Sequence, residues 1–325
     1  MPPLHWSVQV RRRQQHENMD LFVTKSHNAS QPSPRHLLLG AVLHAQRSKA
    51  EMTLREVGDL IHKHHSQIAQ WELGVRKLDA EHVGGILCAL AVSPDDHAYI
   101  SGLARTTDPS VVILQPAHHR HHAEARKHFT QLAMSFADYH PTLIPVSVWT
   151  SDYARAVLKD HGASPGEIGE FVNAQAAQRR LLRTPTRDSR RKQVEVFVGE
   201  PALSGPVPAP NIVLGQLRFL RALGNATRMV RVRVLPSEIC SRPSLRDPFT
   251  CYETSAGPVA YFAHHSAGVF APDNGAYQRL TADLRLLALS TTASRRVIDD
   301  RIQELDAPVP ATEASCTPKA SEARS

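Results

Sequence analysis

Residues 52–74, MTLREVGDLIHKHHSQIAQWELG, decide the fold of the N-terminal third of this chain. Thr53 is followed three residues later by Glu56, the spacing at which a hydroxyl and a carboxylate each satisfy a backbone N–H left free at a helix start. A helix is therefore predicted to begin at Thr53. Val57, Gly58 and Ile61 then share one face at helical spacing, and Gly58, having no Cβ, lets a second helix approach closely. His62 falls where the chain must turn with a positive φ, which His adopts more readily than most side chains but less freely than Gly. A second helix is predicted from near His64. Burial of Ile68 and Trp71 sets its inner face, so that His65, Ser66, Gln67 and Gln70 project from the other.

Outward from this stretch, the 325 residues suit two folded units with tails. Residues 1–34 are polar and dotted with proline, and read as a disordered arm carrying Arg11, Arg12 and Arg13. A helical head is expected over 35–104, a linker over 105–122, a second domain over 123–305 and a disordered tail over 306–325. Within the second domain, ARKHFTQLAMSFADY, SDYARAVLKD, EIGEFVNAQAAQRRLL, NIVLGQLRFLRAL, AYQRLTADLRLLAL and a closing SRRVIDDRIQEL carry helical periods. VEVFV, MVRVRVLP and GPVAYFA read as strands. The fold class expected is α+β, mainly α, with a five-helix head and a larger α+β domain after it.

The net charge of +7 suggests an acidic partner, yet residues 35–104 hold seven Lys or Arg against eight Asp or Glu. Any nucleic-acid argument for the head must rest on where the charges stand, not on their sum. No stretch reads as a membrane span or a signal peptide, so a cytoplasmic location is expected. Cys88, Cys240, Cys251 and Cys316 are scattered without a C-x-x-C pair, which suits a reducing compartment and offers no zinc cluster.

The segment from about Leu39 to Leu90 resembles the phage-repressor-like, or xenobiotic-response-element-like (XRE), helix-turn-helix. Met52, Thr53, Glu56, Val57, Ile61, Ser66, Ile68, Glu72 and Gly74 carry the resemblance, with basic Arg76 and Lys77 and a later helix through Val83, Leu87 and Leu90. It departs at His62 and at Lys63, where the family has a small or apolar residue. The resemblance implies double-stranded operator DNA as partner, with the second helix in the major groove and the loop after it on phosphate. Arg76 and Lys77, joined by Arg55, are then the phosphate residues, and His65, Ser66, Gln67 and Gln70 the base readers. The family also places an Arg and a Glu where Arg47 and Glu72 stand, which implies an ion pair tying the first helix to the third.

After the linker, through the run HPTLIPVSVWTSDYARAVL and over most of residues 123–304, the second domain resembles a domain of unknown function (DUF5753) that follows this helix-turn-helix in many actinobacterial regulators, some described as antitoxin-like. Ile144-Pro145, Thr150, Asp152 through Ala156, Glu200, Gln216-Leu217, Val234-Leu235-Pro236, Phe249, Ala288-Leu289-Ser290 and Ser294 carry it. A P-G-L-L-Q-T run of the family is here PVSVWT, and its R-x-x-R-Q pattern is here QAAQRR. Asp152, Tyr153 and Arg155 are candidates for lining a ligand or partner site, against the plainer reading that they cap a helix and fill a crevice. The basic run from Arg179 to Lys192 holds seven cations and one acid, and suits either an acidic partner or a solvated loop. AHHRHH, residues 117–122, reads as solvated linker rather than a metal site.

No phosphate-binding glycine loop, nucleophile elbow or H-E-x-x-H occurs, and a Cys240 or Cys251 nucleophile with His264 or His265 as base is better read as coincidence, since such pairs mean little without geometry. No enzyme, cofactor or metal is therefore expected. The chain is expected to be a repressor, homodimeric by analogy with regulators of this head type. The alternative is an antitoxin-like protein whose second domain holds a small acidic partner protein while the head serves autoregulation.

Overall fold

A computed structural model describes residues 33–105, 111–114, 119–183, 192–205, 208–226, 229–255, 257–264 and 267–307. The sequence expectations for residues 1–32, including Arg11 to Arg13, for most of the tail with Cys316, for residues 184–191 of the basic run and for His265 lie outside these residues.

Five helices build the head: α1 (Pro34–Lys49), α2 (Leu54–Leu60), α3 (His65–Glu72), α4 (Ala80–Ala89) and α5 (Pro94–Arg105). Their starts follow from side chains that accept free backbone N–H groups, Ser33 for α1, Thr53 for α2, His64 for α3 and Asp79 for α4. The second domain is a mixed seven-stranded sheet in the order β1-β7-β6-β5-β2-β3-β4 with helices on both faces. The strands are β1 (Val112–Leu114), β2 (Ala133–His140), β3 (Gln193–Gly199), β4 (Val230–Leu235), β5 (Phe249–Thr254), β6 (Gly257–His264) and β7 (Ala267–Pro272). β2, β3 and β4 run parallel, linked by crossovers through α7 (Ser151–Asp160) with α8 (Pro165–Arg183) and through α9 (Pro210–Ala226). β5, β6, β7 and β1 form an antiparallel half that joins at the β2–β5 seam.

Alternation along the strands splits the apolar residues between two cores. Phe136, Val194, Val196, Val230, Val232, Tyr252, Tyr261 and Phe270 enter the larger core, beneath α6 (His119–Leu132) to α9 and the closing helix α12 (Thr291–Asp306). Ala137, Tyr139, Phe197, Leu235, Phe249 and Cys251 enter the smaller one, closed by Leu284 of α11 (Ala276–Leu287). A short helix, α10 (Ser237–Cys240), lies beside the smaller core.

Two sequence expectations need correction here. The region read as linker holds β1, whose Val112 is buried against β7, and the first turn of α6, which takes in His119 to His122 of the histidine run. Head and second domain are therefore not joined by flexible chain alone: the N-terminal half of α1 is buried, packs on α6 and β7, and shares the larger core with the sheet. Arg35 also donates to the Val111 carbonyl at 3.0 Å. The helical period read through ARKHFTQLAMSFADY stops at Leu132, and its second half is β2. β2 lies inside the sheet and is covered on both faces, so its burial is nearly continuous and no alternation of apolar and polar residues announces a strand.

Candidate nucleic-acid interface

The helix-turn-helix is built from its caps. The Thr53 N–H donates to Glu56 Oε2 at 2.7 Å and the Glu56 N–H donates to Thr53 Oγ1 at 3.2 Å, closing the reciprocal box. The bonds that Glu56 Oε2 accepts from the Thr53 N–H and the Thr53 hydroxyl hold the Glu56 carboxyl below the usual carboxylate range. At the other end of α2, the Lys63 N–H returns to the Gly58 carbonyl at 2.8 Å while His62 takes φ 56°. The turn is thus a left-handed helix stop with a histidine at the left-handed position. Gly58 is required first by this turn, since a Cβ there would run into the Lys63 carbonyl oxygen, and it also stands against the start of α3 at the His65 backbone N. His64 then opens α3, its Nδ1 accepting from the Ser66 N–H at 3.4 Å and meeting Ser66 Oγ at 2.7 Å.

Ile68 and Trp71 are buried, and Trp71 packs against His82 of α4 with ring centroids 5.0 Å apart. The opposite side of α3 presents His65, Ser66 and Gln70 exposed and Gln67 half-buried. After α3 the chain reverses at Gly74, φ 67°, with Val75 N–H returning to the Gln70 carbonyl at 3.0 Å. Val75, Arg76 and Lys77 follow, all exposed, and Arg55 is exposed on the first turn of α2. Lys77 also lies near the start of α1, where burial first, and then the charges of Lys77 and Arg35, lower the pKa of His36.

Arg47 and Glu72 meet in a two-pronged ion pair, Nε to Oε1 at 2.6 Å and Nη2 to Oε2 at 2.8 Å. Arg47 Nη1 donates onward to the Met52 carbonyl at 2.8 Å. One carboxylate and one guanidinium thus lock α1, the entry to α2 and the end of α3 together. Sequence reasoning missed His44, whose Nδ1 stands 2.7 Å from Glu72 Oε2, although its place one turn before Arg47 on α1 was the available signal. It also passed over Leu73 and Val75, which are 60% and 65% exposed beside the outward face.

In the second domain, the structure does not bring Asp152, Tyr153 and Arg155 into one site. Tyr153 is buried and its hydroxyl accepts from the Ile144 N–H at 3.3 Å, whereas Asp152 and Arg155 are exposed on α7. What Tyr153 serves is the loop from 141 to 150. Asp138 accepts from Ser147 N–H, Gln216 bonds both Thr150 N–H and the Val148 carbonyl, and Trp149 Nε1 donates to the Ile144 carbonyl at 2.6 Å. Gln175 donates to the Val146 carbonyl and Arg179 to the Trp149 carbonyl, so residues of the QAAQRR run hold the PVSVWT run in place.

The basic run is not one solvated patch: Arg179 is spent on that loop, and Lys192 is buried and donates to the Thr130 and Gln131 carbonyls at the end of α6. Burial lowers the Lys192 pKa to about 8. Cys240 and Cys251 are buried, burial raises both thiol pKa values, and that of Cys251 reaches about 12. Among the described residues no group of three or more His, Cys, Asp or Glu is placed to hold a metal, and no helix is long and apolar enough to cross a membrane.

Residues 43–97 match the family described as Helix-turn-helix, which makes the head that of a DNA-binding regulator of the XRE type. No curated protein and no solved structure matches the chain. Residues 110–300, more than half of the chain and the whole sheet with most of its covering helices, match the family described as Domain of unknown function (DUF5753), and to that family, behind a DNA-binding helix-turn-helix, this chain belongs.

Proposed function

We propose that this chain is a sequence-specific repressor that binds operator DNA as a homodimer, with α3 lying in the major groove. The observation that carries the reading is the outer edge of α3, where exposed His65, Ser66 and Gln70 and half-buried Gln67 lead directly into the exposed basic loop at Arg76 and Lys77. That order suits base edges for the helix and phosphates for the loop, with Arg55 on a neighbouring strand of backbone. Gln70 offers a donor and an acceptor on adjacent atoms, which matches the N6 and N7 edge of adenine. A non-catalytic second domain is part of the proposal: thiols whose pKa burial raises are the reverse of the thiolates that nucleophilic catalysis uses.

Binding-site selection with the parent and with Gln70→Ala tests this reading. The expected loss is about 1–3 kcal/mol on the preferred site, with relaxed choice at one base pair and little change on random DNA. Arg76→Ala is expected to weaken specific and random binding alike and to reduce the salt slope by about one counterion. Protected half-sites should lie about one helical turn apart. An unchanged consensus and affinity for Gln70→Ala would remove Gln70 from the reading face.

A further inference from the structure

Leu286, on the last turn of α11, is 83% exposed. A lone exposed leucine is ordinary, but this one stands on the rim of a hollow of about 210 Å³. One wall of the hollow is α11, through Asp283, Leu286 and Leu287, which share a face at helical spacing. The other is the turn Pro243–Leu245, through Ser244 and Leu245, with Arg242 before it. Leu245 is buried and Leu287 half-buried, so an apolar floor lies between an acidic wall and a basic one. Arg242 and Asp283 are both exposed, and neither makes an ion pair with a described residue.

The α11 wall is held from behind. Arg233 of β4 donates to the carbonyls of Arg285, Ala288 and Leu289, which fixes the end of the helix, and Leu284 is buried in the smaller core. A side chain presented by a fixed backbone loses less freedom when a partner covers it. An apolar knob beside an apolar hollow, with an anion on one wall and a cation on the other, is complementary to itself. A two-fold axis at the rim lays the acidic wall of one copy over the basic wall of the next. We propose that two copies of this chain meet on this face, Leu286 of each entering the hollow of the other and Asp283 of each meeting Arg242 across the axis. The leucines supply the hold, and the two charge pairs fix the register and exclude other pairings. The proposal rests on the homodimer of the repressor reading and gives that dimer its surface, using no residue of the head.

Sedimentation equilibrium of the full chain at micromolar concentration, without DNA, tests the contact. The parent is expected at twice the chain mass. Leu286→Asp, Arg242→Asp and Asp283→Arg are each expected to weaken the dimer by about tenfold or more, because each change acts twice across the axis. All three positions are exposed, so the circular dichroism of the chain should not change. Mixing the Arg242→Asp and Asp283→Arg chains decides the symmetry. Each variant alone sets like charges together at both contacts, whereas the mixed pair sets opposite charges together at both. The mixture is expected to recover the dimer that neither variant forms alone. A dimer that survives all three substitutions, or a mixture that fails to recover it, overturns this contact and leaves a homodimer built on another surface. A monomeric parent overturns the contact and the homodimer together.

Discussion

Glu72 concentrates the head's tertiary structure on one carboxylate. It takes both prongs of Arg47 and the ring of His44, and its side chain is 9% exposed against 13% for Arg47. At that burial the pair is removed from most of the screening that makes surface ion pairs negligible, and each partner alone would be left uncompensated. Arg47→Met and Glu72→Gln are each expected to destabilise the head by about 3 kcal/mol, read as a lower urea midpoint. Arg47→Met combined with Glu72→Leu should cost clearly less than the sum of the single changes, since neither charge then remains unpaired. Strict additivity would mean that the two residues stabilise the head independently. The pairing of these residues was readable only through the family resemblance, because they lie 25 positions apart and neither carries a local signal of the other.

At the scale of the element, the helices of the head are ended by one repeated device. After α1, α2, α3 and α4 the chain reverses at Glu51, His62, Gly74 and Ala91 with φ of 56°, 56°, 67° and 47°. In each case the next N–H returns to the third-last helical carbonyl, as from Met52 to Arg47 and from Val92 to Leu87. Only one of the four is glycine. A side chain in this conformation costs about 1–2 kcal/mol, while glycine gives back about 0.5–1 kcal/mol through its freedom in the unfolded chain. His62→Gly, at an exposed position, is therefore expected to stabilise the head by about 0.5–1 kcal/mol, measured by urea denaturation. Gly74→Ala should do the opposite, because besides the strained φ its Cβ would stand 2.9 Å from the Leu37 Cα. A His62→Gly chain no more stable than the parent would show that the histidine ring itself stabilises the turn. The caps and the turn were legible in the sequence, since each is a bond between residues two to five apart. The close approach of α3 at Gly58 was legible too, but not that the carbonyl of its own turn crowds it more.

For the whole molecule, the larger core runs without a break from α1 and α4 of the head to the sheet, and acid should act on it through histidines held neutral inside. Burial lowers the pKa of His128 on α6, and that of His140 at the end of β2, to about 4 each. Lys127 lowers His128 further while Glu124 opposes it, and His140 Nδ1 accepts from the N–H groups of Thr142 and Leu143 at 3.3 and 3.0 Å, a role that protonation ends. Between the unfolded value of about 6.5 and the folded value, the unfolded chain binds the proton and the folded chain does not. Stability is thus fully present above pH 6.5 or so and falls as pH drops toward 4, by about 3 kcal/mol for each such histidine. Urea midpoints at pH 7 and 4.5 should show a smaller acid loss for His140→Asn than for the parent, and an equal loss would remove His140 from the account. The sequence by itself determined what neighbours along the chain decide: the capped helices of the head, the turn at His62, the inner face at Ile68 and Trp71, and the strands with an alternating pattern such as β3 and β4. Only the tertiary structure decided the rest. That β2 is a strand, that β1 belongs to the sheet, that Tyr153 and Arg179 hold the 141–150 loop, and that Lys192 and Arg126 are buried all depend on partners contributed by distant segments. A buried cation or a strand covered on both faces has the same local sequence as an exposed cation or a helix, and only the packing that excludes water distinguishes them.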